Sequence, residues 1–176
     1  MATNNKDAFR DYLQLEKKYS PHTINAYLND ISFFESFNKE CFGKETIDQV
    51  NYSQIRSWIV SLVEDGVSNT TVNRKIASLK AFYRFLLKIK QIQINPLLKH
   101  KALKTEKKLQ IPFSENELKE ALSQNIGSEE FQEIRNKLIV ELFYTSGMRR
   151  AELIHLKCSN VNFGNGTLKV LGKRNK

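Results

Sequence analysis

Through the first ninety positions of this 176-residue chain, apolar residues recur at intervals of three and four. That is the period of a helix with one buried face, and it confines the N-terminal half to packed helices. Phe9, Tyr12, Leu13 and Leu15 fit one side of a first helix over Asp7–Tyr19. Ser20-Pro21 restarts the chain, because serine caps open amides and proline suits a first helical position. The next helix is predicted from about Pro21 to Phe37, with Ile24, Tyr27, Leu28, Ile31 and Phe34 as its stripe. A third, about Ser53–Glu64, buries Ile55, Trp58, Ile59 and Leu62 before Asp65-Gly66 stops it. The longest opens at Ser68 or Asn69 and runs to about Lys90, with Val72, Ile76, Leu79, Tyr83 and Leu86 facing inward.

Asn95-Pro96 closes this four-helix unit, and Lys99–Gln110 reads as an exposed basic connection. The expected division is therefore a helical domain over 1–98, a linker over 99–110 and a second unit over 111–176. Ser114 followed by Glu117 is a capping box that opens a helix through about Leu122. Phe131–Tyr144 is predicted to form a strongly apolar helix (Ile134, Leu138, Ile139, Leu142, Phe143), interrupted by Ser146-Gly147. A short helix follows over Arg149 to about Leu156. From Val161 the period changes to two: Gly164-Asn165-Gly166 is turn chemistry, and Thr167–Leu171 alternates with β-prone residues, which predicts a hairpin. Two strands alone are marginal, and Gly172–Lys176 has the look of a turn into another strand. The fold class is mainly α, with a partial α+β second unit carrying a β-hairpin.

Charge narrows the partner. The chain carries a net +9, yet Ser68–Gln110 holds eleven Lys and Arg against Glu106 alone, leaving the remainder close to neutral. Lys80, Arg84 and Lys88 stack at four-residue spacing on one side of the longest helix. Most such strips are solvated faces, but here nearby acids that would pair with the cations are scarce, which favours a polyanion partner. Cys41 and Cys158 lack paired spacing and are expected to be small, buried or half-buried residues. His22, His100 and His155 are scattered, so neither a metal nor another cofactor is expected. No apolar run approaches membrane-spanning length and the N-terminus has no apolar signal core, so the expected location is cytoplasmic.

The chemistry concentrates in Thr145-Ser146-Gly147-Met148-Arg149-Arg150-Ala151-Glu152-Leu153 and, 24 residues after Arg149, in Gly172-Lys173. Arginine offers a planar fork of donors that stays charged, and lysine a mobile ammonium that can release a proton. Together they suit a phosphate: one grips it while the other protonates a leaving oxygen. Taken singly, Arg149 reads more readily as a surface helix-start residue and Lys173 as a solvated turn residue, and Glu152 reads equally as a capping partner.

A basic helical unit ending in Asn-Pro, a helix–Thr-x-Gly-Met-Arg-x-x-Glu-Leu–helix segment and a hairpin bearing Gly-Lys together resemble a tyrosine recombinase of the Xer and phage-integrase type. The resemblance implies an N-terminal core-binding (SAM-like) domain and a catalytic domain that clamp double-stranded DNA. It further implies single-strand cleavage through a 3′-phosphotyrosyl intermediate, and tetramers of recombinase subunits on paired sites. By the same resemblance, Arg149 holds the non-bridging oxygens of the scissile phosphate, Glu152 supports it, and Lys173 protonates the departing 5′-hydroxyl.

Arg150 stands where the family usually has a small or apolar residue, and Arg174 where it commonly has glycine. The family's His/Lys-x-x-Arg box and nucleophilic tyrosine would lie beyond Lys176. None of Tyr12, Tyr19, Tyr27, Tyr52, Tyr83 and Tyr144 falls in the right segment, and the apolar helix ahead of Tyr144 makes it a core residue. The 176 residues alone are therefore expected to bind DNA without cutting it. Thr70, Thr71, Asn73 and Arg74 are candidate base readers, and Lys80, Arg84 and Lys88 candidate phosphate contacts. The alternative, a non-enzymatic DNA-binding regulator on a recombinase-like scaffold, would keep the basic strip but have no use for Arg149 and Lys173 together.

Overall fold

Helix starts in the N-terminal unit are set by side chains that satisfy amides the helices leave open. The computed structural model describes residues 5–43, 46–106, 109–123 and 130–172. After α1 (Asn5–Asp11), Ser20 accepts the Thr23 amide and opens α2 (Pro21–Phe42). Asn51 and Gln54 exchange bonds at 3.1 and 3.0 Å in a reciprocal box ahead of α3 (Tyr52–Glu64). Ser68 caps α4 (Asn69–Lys88) through the Thr71 amide. α2 outruns its expected end at Phe37, because nothing breaks it before Gly43, whose left-handed φ of 64° closes it.

Past α1 the chain widens into a π-type turn over Tyr12–Glu16, and the Lys17 amide reaches back to the Tyr12 carbonyl at 3.1 Å. The extra residue in that turn swings the following side chains round. Leu13 stays buried, but Leu15, expected in the core, is 72% exposed.

α2 and α4 face each other across the core, where Phe9 meets Phe82 edge-on at 5.3 Å and Phe34 packs on Trp58 at 5.1 Å. Asp30, on the same helix as Phe34, is buried at 2% exposure. Arg74 grips it with two bonds of 2.7 and 3.1 Å, Ser78 donates at 2.7 Å and Lys75 at 3.4 Å. A buried carboxylate without such donors would be costly, so Asp30 fixes which face of α4 meets α2.

The chain divides into two compact units, Met1–Lys108 and Leu109–Lys176. The chain stays with the first unit beyond position 98, where Leu103 packs against the core. Lys99–Glu106 is largely exposed, as a connection should be, yet it is tied down.

In the second unit, Ser114 and Glu117 form the expected box ahead of α5 (Glu115–Ser123), with the Ser114 amide 2.7 Å from the Glu117 carboxylate. α6 (Phe131–Ser146), α7 (Arg150–Ile154) and a one-turn 3-10 segment, Cys158–Asn160, lead into antiparallel strands β1 (Val161–Asn162) and β2 (Thr167–Leu168), paired Val161 with Leu168. β2 covers only the first two residues of the expected strand.

Among the described residues of this unit only Met148 is a buried hydrophobic. On α6, Ile139, Leu142 and Phe143 are half-buried while Ile134 and Leu138 stand more than half exposed, and Tyr144, expected in a core, is 55% exposed. Cys41 and Cys158 are exposed as well, contrary to expectation, because each lies at the end of an element rather than on a packed face. No helix among the described residues is long and apolar enough to cross a membrane.

The network around Asp30 makes unequal demands on its members. Asp30→Ala is expected to destabilise the 176-residue chain by about 2–3 kcal/mol in urea unfolding, because it strands the half-buried Lys75 and the Ser78 hydroxyl. Arg74→Ala should cost under about 1 kcal/mol, since its side chain is 53% exposed and Asp30 keeps two donors.

Candidate functional site

α6 stops at Gly147, whose φ of 62° lies in the left-handed region and whose amide reaches the Phe143 carbonyl at 3.0 Å. That turn brings Met148 inward, with its amide on the Ser146 hydroxyl at 3.3 Å. Met148 is an apolar anchor, and Arg149 directly after it is extended (φ −78°, ψ 152°) and projects outward.

Glu152 then determines what Arg149 does. One carboxylate oxygen accepts the Arg149 backbone amide at 2.8 Å and the other accepts the guanidinium Nη1 at 2.7 Å. The Glu152 side chain is 10% exposed while that of Arg149 is 71% exposed. Held at one nitrogen, the guanidinium keeps its remaining donors free for an oxyanion and has fewer rotamers to lose on binding one. The Arg149 amide, and secondarily its guanidinium, pull the Glu152 pKa below the usual carboxylate value, so the clamp is charged at neutral pH. Arg150 opens α7, is exposed, and has no such carboxylate among the described residues. The geometry thus separates two arginines that are adjacent in sequence.

Lys173 lies outside the described residues, which end at Gly172. Among those described, no group of three or more His, Cys, Asp or Glu converges as metal ligands do.

On α4 the candidate DNA residues fall into two sets. Thr70 and Arg84 are exposed and Lys80 is half-buried; neither Lys80 nor Arg84 meets a carboxylate among the described residues. The others have partners within the fold. Arg74 holds Asp30, and the Thr71 hydroxyl lies 3.0 Å from that of Ser68. Asn73 donates to the Leu103 carbonyl and accepts the Leu103 amide, both at 2.9 Å. Lys88 reaches Glu16 at 2.5 Å and lies 4.8 Å from the Tyr12 ring, and the bond to Glu16 raises its pKa. The sequence argument that this strip lacked acids missed Glu16, 72 residues away, because only the tertiary fold brings it near.

Sequence reasoning also passed over Asp30 and Asn69. The signals were present: an acid embedded between Tyr27 and Phe34 on an apolar stripe calls for cations, and two asparagines four apart, Asn69 and Asn73, share one helix face.

Residues 7–90 match the phage integrase N-terminal SAM-like domain, and residues 112–176 match the phage integrase family. Tyrosine recombinase XerC of Lacticaseibacillus casei is 32% identical over 169 residues, covering 96% of this chain and 56% of that protein. The XerC of Halalkalibacterium halodurans is 35% identical, covering 96% of this chain and 55% of its own length. The chain thus spans little more than half the length of these curated relatives. Among solved structures, a lambda integrase dimer bound to a COC′ core site superposes with a TM-score of 0.71 at 16% identity, over 97% of this chain and 45% of that one. The Tn1549 transposon integrase in complex with a circular intermediate DNA gives 0.68 at 19%, over 93% and 51%. These two likenesses establish a shared fold. With consecutive models matching both parts of the sequence, and relatives aligned along 96% of it, the chain belongs to the phage integrase family, the tyrosine recombinases.

Proposed function

We propose that this chain supplies the DNA-binding unit and the first phosphate-gripping arginine of a tyrosine site-specific recombinase. The observation that carries the reading is the Arg149–Glu152 clamp: an outward guanidinium, fixed at its backbone and at one nitrogen, with its other donors open. An ordinary surface arginine needs no nearly buried carboxylate to aim it.

In the proposed reaction a tyrosine hydroxyl attacks the scissile phosphorus, the bond to the 5′-oxygen breaks, and the 3′-phosphate is left on the tyrosine. The 5′-hydroxyl of a partner strand reverses the step and rejoins the DNA. Charge builds on the non-bridging oxygens, where Arg149 would neutralise it, and on the leaving oxygen, which Lys173 would protonate. Because the phosphotyrosyl ester conserves the bond, neither a nucleotide nor a metal is required. Nothing in the 176 residues is assigned as nucleophile, and their exposed α6 stripe fits a catalytic unit that packs further layers in a longer protein. Double-stranded DNA, further recombinase subunits and a cytoplasmic location follow from the same reading.

The 176-residue chain is expected to shift duplex DNA in a gel, with log affinity falling steeply against log salt. Lys80→Ala and Arg84→Ala should each flatten that slope by about 0.9, the share of one phosphate. A slope unchanged by both would remove the phosphate-contact role. A nicked suicide duplex should give no covalent adduct with these residues alone, and an adduct would overturn the assignment. In a longer chain carrying the nucleophile, Arg149→Ala should slow adduct formation by about 10²–10³-fold.

The clamp makes a separate pH prediction. Since folding lowers the Glu152 pKa, its stabilisation is full above the ordinary carboxylate value and is lost as pH falls through the lowered one. Carbon-detected NMR should show Glu152 titrating below the ordinary carboxylate value, with the Arg149 side chain becoming mobile in the same transition. Titration at the ordinary carboxylate value would show that the clamp is absent in solution.

A further inference from the structure

Beyond α4 the chain doubles back along it and is fastened at successive points. The His100 ring nitrogen Nδ1 is 3.2 Å from the Tyr52 hydroxyl of α3, and His100 has its pKa lowered by burial and then by Lys80 of α4. Three residues on, Asn73 pairs with both the amide and the carbonyl of Leu103, as a neighbouring strand would. Asn69, one turn nearer the start of α4, donates to the Lys104 carbonyl at 2.8 Å. As the segment advances from 103 to 104, its bonded partner on α4 recedes from 73 to 69, so the two run antiparallel. Lys99, Lys101 and Lys104 are all exposed on it, without carboxylate partners among the described residues, and no acid lies between Leu97 and Thr105.

A flexible lysine segment must be ordered when it binds a polyanion, and that ordering reduces affinity. Here the backbone is held before any partner arrives. Asn73, a candidate base reader from sequence, has its side-chain amide engaged with Leu103, and its place on α4 is where the segment needs a tie. We propose that Lys99–Lys104 is a pre-docked extension of the DNA-binding surface. In it Lys99, Lys101 and Lys104 meet backbone phosphates, and Asn69 and Asn73 are positioning residues that act through the segment. This inference rests on the DNA-binding reading of the first unit and adds a second cationic track beside Lys80 and Arg84.

The test combines exchange with binding on the whole 176-residue chain. The Leu103 amide should be protected from hydrogen exchange, and Asn73→Ala should abolish that protection while the α4 amides keep theirs. The double substitution Lys101→Ala, Lys104→Ala leaves the packed core untouched and should lower duplex affinity with a salt slope flatter by about 1.8, two phosphates' worth. Asn73→Ala alone should weaken binding about fivefold, and in a triple variant that carries Lys99→Ala as well it should weaken binding no further, because it acts only through those lysines. Asn69→Ala should behave in the same way with a smaller effect. An Asn73→Ala loss that persists undiminished without the lysines would make Asn73 a direct contact and overturn the proposal, as would an unprotected Leu103 amide. If the unsubstituted chain binds no duplex, this inference and the reading beneath it both fail. If it binds duplex and the lysine substitutions change nothing, this inference alone fails.

Discussion

The first unit depends on a negative charge in an apolar place. Asp30 lies on the face of α2 that also carries Ile31 and Phe34, and three side chains of α4 converge on it. Hydrophobic packing between two helices tolerates sliding and rotation, because apolar contacts are non-directional. A buried carboxylate is not tolerant: rotating α4 by one position would strip it of donors. Asp30 therefore sets the register of α4 and with it which side chains of α4 reach solvent. The outward set, Thr70, Arg84 and the half-exposed Lys80, follows from that choice, as does the facing of Asn69 and Asn73 toward the returning segment.

Charge density in sequence and available charge on the surface are different quantities here. The stretch from Ser68 to Gln110 is almost free of acids, yet Arg74, Lys75 and Lys88 all find carboxylates from outside it, at Asp30 and Glu16. Pairing between distant segments is invisible to any local count. What is left over, on α4 and on the segment after it, is a smaller cationic surface with its spacing already fixed, and a fixed spacing of charges is what a regular phosphate backbone can match.

Helices of the first unit were legible because their signals are local: serine and asparagine caps, the Asp65-Gly66 stop, and stripes such as Val72, Ile76, Leu79, Tyr83 and Leu86, all of them buried. Legibility failed where a residue's environment is set from far away. Leu15 carries the right period but lies within a widened turn, and Asn73 looks like a polar surface residue until Leu103 arrives. In the second unit the apolar period of α6 was read correctly as helical and Tyr144 wrongly as core, since periodicity reports a face that can be covered and says nothing of what covers it. The Arg149 site was half legible. Its residue types and spacing pointed to phosphate chemistry, but the distinction between Arg149 and Arg150 emerged from the position of one carboxylate.

That carboxylate serves two requirements with one group. A short helix opening directly after a glycine turn leaves amides to satisfy, and Glu152 at the third helical position takes the Arg149 amide as a capping residue would. The same geometry puts its other oxygen against the guanidinium, so whatever holds the start of α7 also aims the arginine. A glutamate read only as a cap and a glutamate read only as a site residue are therefore not rival descriptions. Removing the cap releases the guanidinium, and an arginine free to sample solvent must lose, on gripping any anion, the rotamer freedom that Glu152 has already removed.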